Sequence, residues 1–122
     1  MATYMTGIKY GGYLSTAAVS GTATASADLV TAPSGQVWEV YVRFIGATGL
    51  GGAGGGDYAQ IRLVNSSFDW ELIDNEASTQ ITKTVIDFPQ PLILEYGSKI
   101  DTLQTGSGTT VSYDFIVVKY TA

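Results

Sequence analysis

Apolar and polar residues alternate along most of the chain, and the alternation is sharpest from Gln36 onward. Trp38, Val40, Val42 and Phe44 fall on one side while Glu39, Tyr41 and Arg43 fall on the other. A period of two is the mark of a strand with one face buried. The pattern returns in Ala59, Ile61 and Leu63 against Gln60 and Arg62, and in Phe68, Trp70 and Leu72. Residues 79–88 are rich in Thr, Ile and Val, and Pro89 and Pro91 then exclude a central strand across that point. Leu92-Ile93-Leu94 reads as a brief buried strand, followed by Ile100 and Leu103. The last strand sets Val111, Tyr113, Phe115 and Val117 against Ser112 and Asp114, but Ile116 and Val118 make its far half apolar on both sides. Such a strand is central, or it lies under an arm or a neighbour.

Turn residues punctuate these runs at Pro33-Ser34-Gly35, Asn65-Ser66-Ser67, Tyr96-Gly97-Ser98 and Gly106-Ser107-Gly108. No stretch carries the 3.6-residue apolar period of a helix. Seven or eight short strands without a helix predict an all-β fold, a β-sandwich or closed barrel. Of these, a single antiparallel, jelly-roll-like sandwich over residues 28–122 is the expectation.

The first 27 residues read differently. They are mostly Ala, Thr, Ser, Gly and Tyr, with Lys9 the only charge, and their large apolar groups are sparse: Met5, Ile8, Tyr10, Tyr13, Leu14 and Val19. This is the composition of an extended N-terminal arm that docks on a surface without folding alone. Thr22 to Ala27, alternating hydroxyl and alanine side chains, also suits an edge strand. Two arrangements follow: attachment to a neighbouring molecule, or pairing back on the chain's own sandwich.

Composition narrows the function. At 122 residues one core suffices, and with 45% hydrophobic but only 14% charged residues, eight Tyr and two Trp, part of the surface is expected to be covered by something else. A formal charge of −5 has the wrong sign for binding phosphates, so nucleic acid is not an expected partner. The amino terminus lacks the basic start and apolar run of a signal peptide, and no segment is long and apolar enough to span a bilayer, so no membrane is expected either.

There is no His and no Cys. That removes the commonest general base, the commonest transition-metal ligand and the thiol nucleophile, and the expectation is a non-enzymatic protein with no catalytic residues, cofactor or metal. The acidic residues Asp69, Glu71, Asp74 and Glu76 read as a solvated face; their spacing matches no calcium loop. Gly49-Leu50-Gly51-Gly52-Ala53-Gly54 satisfies a dinucleotide fingerprint in letter only, because a strand and not a helix follows it. Trp38 belongs to the core side of its strand, whereas Trp70 is a candidate exposed anchor.

Three stretches together resemble small β-sandwich proteins encoded among the structural genes of tailed bacteriophages: Leu29 to Trp38, Pro91 to Ile100, and Val111 to Tyr120. Those proteins serve in the virion as head decoration or tail-associated components. The resemblance implies a virion structural protein, assembled in the host cytoplasm, with capsid or other virion proteins as partners, and it implies no catalytic residues. The residues expected to bind partners are Met5, Ile8, Tyr10, Tyr13, Leu14, Trp70, Ile116 and Val118. A homo-oligomer is expected, a trimer first, since closed symmetry covers apolar strand faces such as Ile116 and Val118. The alternative is a receptor- or carbohydrate-binding module of a phage tail or cell surface, with Trp70 stacking on a sugar ring.

Overall fold

The computed structural model describes residues 11–48, 57–66, 69–76, 86–87, 90–105 and 108–122. Met5, Ile8, Tyr10, the glycine loop and most of the strand expected over residues 79–88 lie outside the described residues. Among those described there are nine strands and no helix: β1 Tyr13–Ala23, β2 Ala27–Thr31, β3 Gln36–Thr48, β4 Tyr58–Val64, β5 Asp69–Glu76, β6 Ile86–Asp87, β7 Leu92–Leu94, β8 Lys99–Gln104 and β9 Thr110–Thr121. They form two antiparallel sheets packed as a sandwich. Sheet A runs β1-β9-β3, with β6 and β7 sharing the far side of β3; sheet B runs β2-β8-β4-β5.

The inward faces are those marked by the alternation. Val40, Val42 and Phe44 of β3 and Val111, Phe115 and Val117 of β9 meet Ile61 of β4, Leu94 of β7 and Ile100 of β8, all buried. At roughly 1.5–3 kcal/mol for each large side chain taken out of water, this contact is the main force holding the sheets together. Trp38 lies at the margin of the core, half-buried. Its indole N–H donates to Gln36 Oε1 at 2.7 Å, and Lys119 Nζ stands 4.5 Å from the ring centre.

Two turns carry a glycine in the left-handed region, Gly35 with φ 80° and Gly97 with φ 88°. In each, the amide of the next residue donates back three positions, Gln36 to Pro33 O at 3.3 Å and Ser98 to Glu95 O at 2.9 Å. A positive φ at the third turn position is what makes glycine the fitting residue there. The turns are tied together by Ala32 N–H to Ser98 O at 3.1 Å.

Tyr13–Ala23 takes the second of the two arrangements open to it, an edge strand paired antiparallel with β9 from Tyr13 opposite Tyr120 to Ala23 opposite Val111. Its threonine, serine and alanine side chains fill a pleated surface without needing to be large. Between β1 and β2 the chain crosses from sheet A to sheet B at Thr24-Ala25-Ser26. Ser26 Oγ holds the corner, accepting from the Gln104 amide at 2.9 Å. The Gln104 side-chain amide donates to the carbonyls of Ala23 at 3.1 Å and Thr109 at 3.0 Å.

Candidate functional site

Side chains that point away from the core form two outer faces of opposite character. On sheet A, cross-strand register builds rows that run across β1, β9 and β3. Ala18, Ile116 and Tyr41 make one row. Thr16, Val118 and Glu39 make the next, continued by Ile93 of β7. Ser20, Asp114 and Arg43 make a third, closed by Asp87 of β6. At the end of the sheet, Tyr13 and Tyr120 pack edge to face with ring centres 6.2 Å apart.

The apolar members of this face are open to solvent: Tyr13 is 62% exposed, Tyr41 44% and Ile116 42%. A shallow open cleft of about 320 Å³ lies among Tyr41, Ile116, Arg43, Asp87 and Asp114. Arg43 is fixed along one side of it by two contacts to Asp87, Nε to Oδ1 at 2.6 Å and Nη2 to Oδ2 at 3.3 Å. That bond, with the charges of Asp87 and Asp114, raises the guanidinium above its usual range. Tyr120 donates to Glu39 Oε1 at 3.4 Å. Partial burial, then the Glu39 carboxylate, pushes its phenol up.

Sheet B turns charge outward. Arg62 grips Asp101 through two parallel bonds, Nε to Oδ1 at 3.0 Å and Nη2 to Oδ2 at 2.8 Å, and reaches Asp69 at 3.3 Å. Its guanidinium is raised, first by the bond to Asp101. Asp101 is only 5% exposed although it sits on the outer side, because Arg62 covers it. Register places Asp28 opposite Asp101, and Lys99 answers the extra negative charge with a 2.9 Å contact to Asp28.

Among the described residues no three His, Asp, Glu or Cys side chains gather as a metal site would require. Among the described residues, the cleft beside Tyr41 and Ile116 is open, not a deep pocket with converging polar groups. What sheet A offers is a broad surface with an exposed apolar row through its middle, suited to contact with another protein.

Four of the eight residues expected to bind partners lie on or beside that surface: Tyr13, Ile116 and Val118 on it, and Leu14 next to Tyr13 at a register shift. Leu14 is 46% exposed, and Val118 is half-buried between its neighbours. Strand β9 is central, with β1 and β3 on its two sides, yet no described residue of the chain covers Ile116. Trp70 stands apart on β5, at an edge of sheet B, 62% exposed. Tyr41, Tyr120 and Ala18 join the surface without having been singled out from the sequence. Tyr41 was legible as outward-facing, but its place beside Ile116 depends on β3 pairing with β9.

No protein family and no curated protein matches the chain. Among solved structures, the chain is similar to two crystal structures of a pentameric capsid protein isolated from metagenomic phage sequences. One has a TM-score of 0.45 at 10% identity over 85% of this chain and 61% of that chain. The other, solved by iodide phasing, has a TM-score of 0.44 at 10% identity over 85% of this chain and 62% of that one. The chain spans less than two thirds of their length.

Proposed function

We propose that the chain is a non-enzymatic structural protein of a phage virion, a head decoration, cement or minor capsid component that docks on neighbouring virion proteins through the outer face of sheet A. The observation that carries this reading is the exposed row of Tyr41, Ile116 and Ala18, joined by Tyr13, an uncharged row between the one that holds Glu39 and the one that holds Asp114 and Arg43. The strand order supports a jelly-roll reading. The chain changes sheet at every connection except β4 to β5 and β6 to β7, and its first and last strands lie side by side.

In this reading the protein acts as a closed homo-oligomer, with a trimer the first order to look for, and residues 1–10 serve as an attachment arm through Met5, Ile8 and Tyr10. Gly11 begins beside the same surface, its amide bonded to Thr121 O at 2.6 Å. The test is incorporation: purified particles contain the wild-type chain, cryo-microscopy finds sheet A against the shell, and Tyr41→Ser with Ile116→Ser removes it. Deleting Met1 to Tyr10 weakens incorporation while leaving melting nearly unchanged. Absence of the protein from purified particles overturns the reading.

A second reading is favoured by one observation, the 62% exposure of Trp70. A flat indole at a sheet edge suits stacking on a sugar ring. Specific glycan-array binding that is lost on Trp70→Ala supports a carbohydrate-binding module instead.

A further inference from the structure

The edges of the two sheets are defended unequally. An unpaired strand edge is a row of free backbone donors and acceptors, and proteins blunt it with short strands, charges, prolines or bulges. Strand β2 has five residues, an Asp and a register shift. Strand β5 carries Asp69, Glu71, Asp74 and Glu76 in its sequence. Strands β6 and β7 have two and three residues, with Pro89 and Pro91 between them. Strand β1 has eleven residues, no charge and no proline, and among the described residues only β9 pairs with it. Its one irregularity lies at its start, between Tyr13 and Ser15.

We propose that β1 pairs antiparallel with β1 of a second copy of this chain, about a two-fold axis at Ala18, joining two A sheets into one. This goes beyond the reading of the outer face, because it concerns a strand edge and holds whatever that face docks on.

Charge, register and continuity each favour a second copy. The chain carries a net charge of −5, so copies repel one another in general, and two β5 edges would set four acids against four. Two β1 edges bring no charges together. With Ala18 on the axis, Thr16 of one copy stands opposite Ser20 of the second copy, twice, and Ala17 stands opposite Val19. Hydroxyl pairs of this kind are favourable cross-strand neighbours, and none of these side chains is large enough to clash. The row Tyr41-Ile116-Ala18 ends at the β1 edge. The two-fold continues it into Ala18-Ile116-Tyr41 of the second copy, so a single apolar band crosses both molecules. The contact is isologous: alone it closes a dimer, and a ring of higher order needs another surface as well.

Cross-linking tests the register. The chain has no cysteine, so Ala18→Cys is the sole thiol of its variant. Directly opposed residues of an antiparallel pair have Cα atoms about 4.5–5.5 Å apart, within disulfide range. The expected result is a disulfide-linked dimer from A18C under mild oxidation at micromolar concentration, forming at least about tenfold faster than from the exposed control S66C. T16K/S20K, which sets like charges opposite each other at both ends of the ladder, raises the dimer dissociation constant at least about tenfold, while T16E/S20K stays within about threefold of wild type. All four substituted positions are exposed, so melting temperatures stay close to wild type and report that the variants fold. A monomeric wild type by light scattering, or A18C cross-linking no faster than S66C, overturns the proposal. So does a T16E/S20K variant that dissociates as readily as T16K/S20K.

Discussion

The outer faces of sheets A and B are built on similar strands and face the same solvent, yet they meet it in different ways. On sheet B both described basic residues are engaged within the face: Arg62 with Asp101 and Asp69, Lys99 with Asp28. On sheet A the charges lie in the rows to either side, Asp114, Arg43 and Asp87 in one and Glu39, bonded to Tyr120, in the other, and between them Ala18, Ile116 and Tyr41 have nothing over them among the described residues. A self-satisfied polar face contributes to folding, whereas an apolar one left open contributes to association. The difference predicts that substitutions on sheet B act on the monomer and substitutions on sheet A act on its assemblies.

The largest expected effect tests sheet B. Asp101→Ala leaves the half-covered Arg62 without its bidentate partner, and unfolding by denaturant shows a loss of about 3 kcal/mol, as for other broken pairs of low exposure. A loss below about 1 kcal/mol would remove the claim that this face is structural.

Next comes the opposite outcome on sheet A. Ile116→Asp changes monomer stability by under about 1 kcal/mol, since the side chain is already 42% exposed, but it abolishes assembly on particles. If its main effect were on melting, the two faces would be alike.

The comparison sharpens at the exposed pairs, one on each face. Asp28→Asn on sheet B and Asp87→Asn on sheet A each lower the melting temperature only slightly, and both effects shrink in high salt, because solvent screens pairs this open. A larger loss in either would mean that face relies on its rim.

The smallest effect is at alkaline pH. Tyr120 is held above its ordinary range by partial burial and Glu39, and Lys99 chiefly by its bond to Asp28. Both therefore stay protonated to higher pH in the fold than in the unfolded chain. The stability linked to them is present in full below about pH 10 and is lost as pH rises through the raised values. Tyr120→Phe flattens the fall in melting temperature above pH 10, and neither group produces a change between pH 6 and 9.

Much of this was readable before any coordinates. The alternation of Val40, Val42 and Phe44 with Glu39, Tyr41 and Arg43 named the inward face of β3, and the glycine and proline turns marked where strands stop. Ile116 and Val118 marked β9 as unusual. The reading left two arrangements open at Tyr13–Ala23, whose small side chains suit a loose arm as well as an edge strand. That segment is a strand because β9 offers it ten residues of backbone to pair with, and pairing partners leave no trace in local composition.

The same division holds for the surface. Side-chain period, turn stereochemistry and the absence of His and Cys are properties of neighbouring residues or of the chain as a list, so the sequence by itself determined the all-β class, the core positions and the poverty of its chemistry. Which strand lies beside which is decided by contacts between distant parts of the chain. Only the tertiary structure could therefore bring Ala18, Ile116 and Tyr41, from near its beginning, its end and its middle, into one row, or leave β1 as the uncharged edge of a sheet whose other borders are short or broken.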